Sequence, residues 1–154
     1  MLKVPKERLI KWRRQETITK IEHPTNIKKA RALGFRAKQG YVMVRTTIRK
    51  GARIRPKPAK GRNPAKIGRK FTPGQSLQTI AEKRVARKFP NMEVLNSYYI
   101  AEDGVQTFYE VILVDPHHPS VKADPKINWI CSHRKRAFRG LTSSGKKSRA
   151  IINF

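Results

Sequence analysis

The sequence predicts an α+β fold carrying long basic extended segments, and three observations predict it. One stretch has helical periodicity with clear end signals, three stretches read as strands, and the basic residues gather away from these elements. The order is strand, basic loop, helix, strand, strand, which suits an α+β core.

Each element has its own local reason. Residues 6–14 suit a short helix. Residues 25–33 suit another, with Thr25 as its cap and Gly34 able to take the left-handed conformation that ends a helix. The run YVMVRTTIR, beginning at Tyr41, is rich in β-branched residues and alternates imperfectly, so it reads as a strand. Residues 76–89 place Leu77, Ile80, Ala81, Val85 and Phe89 on one apolar stripe. Ser76 caps that helix, Lys88 suits its C-terminal dipole and Pro90 stops it, while Lys83, Arg84 and Arg87 lie opposite the stripe. Residues 94–100 and 107–114 form two further strands, and Asp103-Gly104 between them favours a tight turn. In the second, Phe108, Glu110, Ile112 and Val114 share one face, with Thr107, Tyr109, Val111 and Leu113 on the other. Both faces are mostly apolar, so both are expected to be covered.

Charge narrows the function. The 154 residues hold 36 Lys and Arg against 10 Asp and Glu, a net charge of +26, which calls for a polyanionic partner. The charge is segregated. Residues 77–132 carry seven acids and six bases, a net charge of −1, so the other 98 residues carry +27. A uniformly basic chain would suggest a disordered tail, whereas this pattern suggests a folded body with basic extensions. Ten bases and no acid fall between Arg49 and Lys70, among three glycines and three prolines that break regular structure. That stretch is expected to be an extended loop. The reading is a single domain over 1–154, divided by residue ranges. Residues 1–40 are a helical region expected to bind nucleic acid, 41–48 a strand, 49–70 the basic loop, 71–132 the α/β portion of the core, and 133–154 a basic C-terminal extension. The longest aliphatic run, Val111 to Val114, is far below the roughly 18–20 residues of a membrane span. No apolar stretch follows Lys3 and Lys6, so no secretory leader is expected. Cys131 stands alone, which fits a reducing compartment.

Three catalytic or metal motifs are approached and missed. Gly140-Leu141-Thr142-Ser143-Ser144-Gly145-Lys146-Lys147-Ser148 nearly spells a P-loop, but Lys147 stands where the Mg²⁺-binding hydroxyl belongs and no buried strand precedes it. Its backbone and lysines retain a weaker reading as a phosphate-holding segment. His117, His118, Cys131 and His133 lack the paired short spacings of a zinc site. Glu102, Asp103, Glu110 and Asp115 lack the nearby lysine of a metal-dependent nuclease. Turn and strand-end roles explain three of these acids. No metal and no cofactor is expected. Of the aromatic residues, Trp12 beside Arg13 and Arg14 suits stacking on an unpaired base, whereas Trp129 reads as core.

Several segments resemble one family. They are Lys38-Gln39-Gly40-Tyr41, Ser76-Leu77-Gln78, Val94-Leu95-Asn96-Ser97-Tyr98-Tyr99, Glu102-Asp103-Gly104, Phe108 to Pro116, Asn128-Trp129-Ile130-Cys131 and Arg139 to Gly145. Together, from about residue 12 to residue 150, they resemble the fifteen-e family of large-subunit ribosomal proteins of archaea and eukaryotes. The resemblance implies a structural, non-catalytic protein bound to large-subunit rRNA in the cytoplasm, beside neighbouring large-subunit proteins. It implies a four-stranded antiparallel sheet flanked by helices, and an RNA-facing Gly-Leu-Thr-Ser segment. Family members usually have a longer lead before the Trp12 region and a basic tail past Ser148, so contacts made by those ends are not carried over. No membrane partner and no homo-oligomer are expected. Without the resemblance, an RNA-processing enzyme and a DNA-packaging protein remain open beside it.

The expected mechanism is phosphate neutralisation, with Arg giving forked contacts and Lys mobile point charges. The loop is expected to contribute Arg49, Lys50, Arg53, Arg55, Lys57, Lys60, Arg62, Lys66, Arg69 and Lys70. The N-terminal half is expected to add Trp12, Arg13, Arg14, Lys38 and Arg45, and the amphipathic helix Arg84 and Arg87. The C-terminal cluster adds Arg134, Lys135, Arg136, Arg139, Lys146, Lys147 and Arg149.

Overall fold

The computed structural model describes residues 4–66 and 68–148. From the N-terminus, helix α1 (Lys6–Arg14) leads into strand β1 (Ile18–Ile21), helix α2 (Ile27–Ala32) and strand β2 (Tyr41–Arg49). Two short strands follow, β3 (Arg53–Ile54) and β4 (Lys70–Phe71). Then come helix α3 (Leu77–Lys88) and the long hairpin of β5 (Glu93–Glu102) and β6 (Gln106–Val114). The chain ends in short helical segments: α4 (Pro119–Lys122), a 3₁₀ turn (Asn128–Ser132), α5 (Arg136–Arg139) and α6 (Ser143–Ser148).

The main sheet is antiparallel, in the order β1-β2-β6-β5. Strand β1 carries no periodic signal in four residues, and the sheet needs it as an edge partner for β2, with Ile18 opposite Thr46. Residues 111–114 are fully buried because β6 lies inside the sheet and both faces are covered. On one face Met43, Tyr98, Phe108 and Ile112 pack with Trp12, Ala30 and Phe35 from the α1 and α2 region. On the other, Val44, Val94, Val111 and Leu113 pack with Val85 of α3 and Ala137 of α5.

Local chemistry sets the element ends, in one place differently from the sequence expectation. Ser76 does cap α3, its Oγ accepting from the Thr79 N–H at 3.2 Å. Helix α2 is capped by Asn26, whose Oδ1 accepts from the Lys29 N–H at 3.0 Å, rather than by Thr25. Thr25 is drawn off by Glu110, which accepts from its backbone N–H at 3.1 Å and from its hydroxyl at 2.5 Å. The β5–β6 turn forms at Asp103-Gly104, as expected, and Asp103 closes it. The Asp103 Oδ1 accepts from the N–H groups of Val105 and Gln106, each at 2.7 Å.

Glycine is required where segments touch. A Cβ on Gly145 would lie 2.8 Å from the Gly140 Cα, and Gly140 itself takes φ 69° at the end of α5. The near-P-loop is therefore a close crossing of two backbone segments. Its Thr142 hydroxyl accepts from the Gly145 N–H at 3.1 Å and starts α6.

Candidate nucleic-acid interface

The basic loop folds into an arm with a short ribbon at its base. Strands β3 and β4 pair antiparallel, Arg53 opposite Phe71 and Ile54 opposite Lys70, and the Arg55 N–H donates to the Arg69 carbonyl at 2.9 Å. The sequence expectation of a wholly irregular loop thus gives way to a stem with an irregular tip. Pro56, Pro58 and Pro64 and the left-handed Lys60 and Gly61 keep the tip from extending the ribbon. Apart from half-buried Pro64, the described residues from Gly51 to Phe71 are exposed. Arg53, Arg55, Lys57, Lys60, Arg62, Lys66, Arg69 and Lys70 therefore all face solvent, and among the described residues no ion pair engages any of them. The Arg55 guanidinium lies over the Phe71 ring at 5.7 Å.

Several residues of the body expected to contact RNA have internal partners. Lys38 binds Asp124 at 2.5 Å, and that hydrogen bond holds the Asp124 carboxyl below its ordinary range. Lys50 pairs with Glu102 at 2.9 Å, and Arg13 with Asp103 at 3.4 Å. Trp12 is only 6% exposed, with its ring 5.4 Å from Phe108, so it is core and its ring is not presented to a base. Half-buried Arg45 covers that ring at 4.3 Å and donates to the Gln15 side chain. Burial pushes its guanidinium below the usual range, against the pull of Glu110. Arg14, Arg49, Arg84 and Arg87 are exposed.

The C-terminal cluster is docked rather than extended. Glu93 accepts from the backbone N–H groups of Lys135 at 2.7 Å and Arg136 at 3.1 Å. Fully buried Glu82 of α3 accepts from the Thr142 hydroxyl at 2.5 Å and from the Ser97 hydroxyl. Arg136, 8% exposed, turns inward and donates to the carbonyls of Val94 and Leu141, both at 3.3 Å. Burial lowers its pKa, while Glu93 and Glu82 oppose the shift. Its guanidinium stacks on Trp129 at 4.6 Å, and that ring is 41% exposed, so Trp129 belongs to the surface and Arg136 to the interior. Both reverse the sequence expectation, because an edge of β5 needed a donor for its outward carbonyl. Arg134, Lys135, Arg139, Lys146 and Lys147 remain exposed on this docked segment. Arg149 lies outside the described residues.

The protein-family model described as Ribosomal L15 matches residues 1–153. The chain belongs to this ribosomal L15e family. The family makes it a structural protein of the cytoplasmic large ribosomal subunit, with rRNA and other ribosomal proteins as partners, and such proteins are typically non-enzymatic. Among the described residues no helix is long and apolar enough to cross a membrane, and no three His, Cys, Asp or Glu side chains converge as a metal site. The four acids weighed as nuclease ligands hold structural posts, Asp115 accepting from the His117 N–H at 2.9 Å and the others as described above. Of the histidines, His118 accepts from the Ser120 N–H at 3.2 Å and caps α4, while His133 stands edge-on to Trp129.

The L15e chain also presents cations that sequence reasoning passed over. Lys28, Lys29 and Arg31 of α2, with Arg36 just beyond it, are exposed. Their signal was present in the run Ile-Lys-Lys-Ala-Arg-Ala, where Ala30 alone is buried and every cation must point outward.

Proposed function

We propose that this chain binds and stabilises folded large-subunit rRNA by phosphate neutralisation, without catalysing a reaction. The observation that carries the reading is the arm, a run of exposed cations that, among the described residues, form no ion pair. Phosphates from separate RNA helices repel one another when folding brings them together. A thin basic ribbon enters the space between them where a globular face does not fit. Arg53, Arg55 and Arg62 offer forked donors to phosphate oxygens, and the lysines supply point charge at the tip. The RNA is recognised by shape and 2′-hydroxyls more than by base edges. The exposed cations of α2 and of the docked C-terminal segment add further phosphate contacts. The net charge of +26 makes copies of the chain repel, so it acts as a monomer beside other ribosomal proteins.

Crosslinking in cells followed by sequencing of the bound RNA tests the proposal. Crosslinks from the arm to large-subunit rRNA are expected, and recovery mainly of messenger RNA or DNA would overturn it. Incubation of the purified chain with RNA and Mg²⁺ or Mn²⁺ should leave the RNA intact.

A further inference from the structure

The arm does not stand clear of the body along its whole length. Where its stem passes α3, the two enclose an open groove of about 510 Å³, within the usual size range of small-ligand sites. Its composition is two-sided. Ile54 of the stem, Pro73, and Leu77 and Ile80 of α3 line it, and so do the cations Arg49, Arg53, Lys70 and Arg84. Lys50 also lines it, already paired with Glu102, and among the described residues no acidic side chain does. Ile54 is 67% exposed, an unusual setting for isoleucine on a two-residue strand. Leu77 and Ile80 border the buried cluster of Ile48, Ala81 and Tyr109, so the groove floor is an outcrop of the core.

We infer that this groove receives one unpaired nucleotide of the bound RNA, its base against Ile54, Leu77 and Ile80 and its flanking phosphates on Arg49, Arg53 and Arg84. The inference rests on the RNA-binding reading above and adds to it a second kind of contact. Phosphate neutralisation alone accounts for the cations and leaves the apolar floor unexplained. A nucleotide is the ligand that combines a flat, largely apolar face with adjacent negative charge, and guanidinium planes can also stack on the base. A peptide strand would match the floor but not a rim of unopposed cations. Base capture of this kind selects RNA with a bulged or looped-out residue over continuous duplex, so it supplies a selectivity that charge alone lacks.

The test uses the full chain and three short RNA hairpins, measured at one salt concentration because phosphate affinity depends on salt. One is fully paired, one carries a single unpaired 2-aminopurine, and one carries an abasic residue at that position. The unpaired base should raise affinity about fivefold over the other two, the effect of removing a small apolar area from water, and its fluorescence should change on binding. Ile54→Ser should abolish that preference with little effect on affinity for the paired hairpin, and Ile54→Leu should retain it. Because Ile54 is exposed, both variants should melt with the parent. Equal binding of all three hairpins with unchanged 2-aminopurine emission would overturn the groove and leave phosphate neutralisation standing. Failure to bind any hairpin would overturn the RNA-binding reading itself.

Discussion

The arm from Gly51 to Phe71 and the segment from Arg134 to Ser148 are alike in composition, both basic and rich in small or turn-forming residues. They end in opposite states. The second is fastened to the body by two carboxylates, Glu93 on its backbone N–H groups and Glu82 on Thr142, and sends Arg136 into the interior. The described residues of the first are exposed apart from half-buried Pro64, and none of their cations is in an ion pair with a carboxylate. Burying a carboxylate is costly unless its oxygens are fully hydrogen-bonded, so a buried Glu in a near-neutral body selects a specific donor segment and holds it. The difference teaches that acids of the body decide which basic stretch becomes architecture and which remains exposed.

That comparison breaks first at Glu82. Replacing it with Ala removes the acceptor for two buried hydroxyls and leaves a void, a loss of about 2–4 kcal/mol. Hydrogen exchange at residues 142–147 should accelerate sharply, while exchange at residues 55–66 stays as fast as in the parent. Unchanged protection at 142–147 would mean that the docking rests on something else. The triple replacement Arg53→Ala, Arg55→Ala and Arg62→Ala should do the reverse. Its unfolding free energy should stay within about 0.5 kcal/mol of the parent. The slope of log affinity against log salt for rRNA should become shallower by about 2–3, from a contribution of about 0.7–0.9 per lost phosphate contact. Equal affinity and slope would count against the arm as an RNA contact.

Arg136 and Arg139 sharpen the comparison within a single turn of helix. Arg136→Met leaves the Val94 and Leu141 carbonyls without their donor and should cost about 1–3 kcal/mol in thermal or urea unfolding. Arg139→Ala should leave stability nearly unchanged and reduce the salt slope by about 0.7–0.9. The smallest effect is acid dependence at the β5–β6 turn. Partial burial works to raise the Asp103 pKa, but the Val105 and Gln106 N–H groups, with Arg13 and Lys50, outweigh it and set the pKa below 3.8. A depressed folded pKa contributes stability above the unfolded value, and that contribution is lost as pH falls through the folded one. Asp103→Asn should therefore flatten the fall in melting temperature below about pH 4. An identical acid profile in the variant would remove Asp103 as its source.

Much of the fold was legible because its signals are local. Helix α3 shows its stripe, its Ser76 cap and its Pro90 stop within fifteen residues of sequence. The β5–β6 hairpin shows two apolar runs around Asp103, and the exposed arm shows itself by charge and proline. Strand β1 was not legible from its own residues, since Ile-Thr-Lys-Ile becomes a strand by lying beside β2. Trp12 misled because neighbouring arginines suggest a base-stacking ring, whereas a nine-residue helix with one buried side chain needs that ring to dock. Arg136 misled because a charge cluster in sequence does not reveal which member faces a strand edge.

Sequence alone determined the segregation of charge, the α+β class and the arm, because each follows from composition or from spacing within a few residues. Tertiary structure alone decided which cations are free. Glu110 meets Thr25 across 85 positions and Glu82 meets Thr142 across 60, and nothing local announces either pairing. The physical reason is that the cost of burying a carboxylate is settled by whichever donor the fold brings to it, and the backbone path, not residue order, sets that donor.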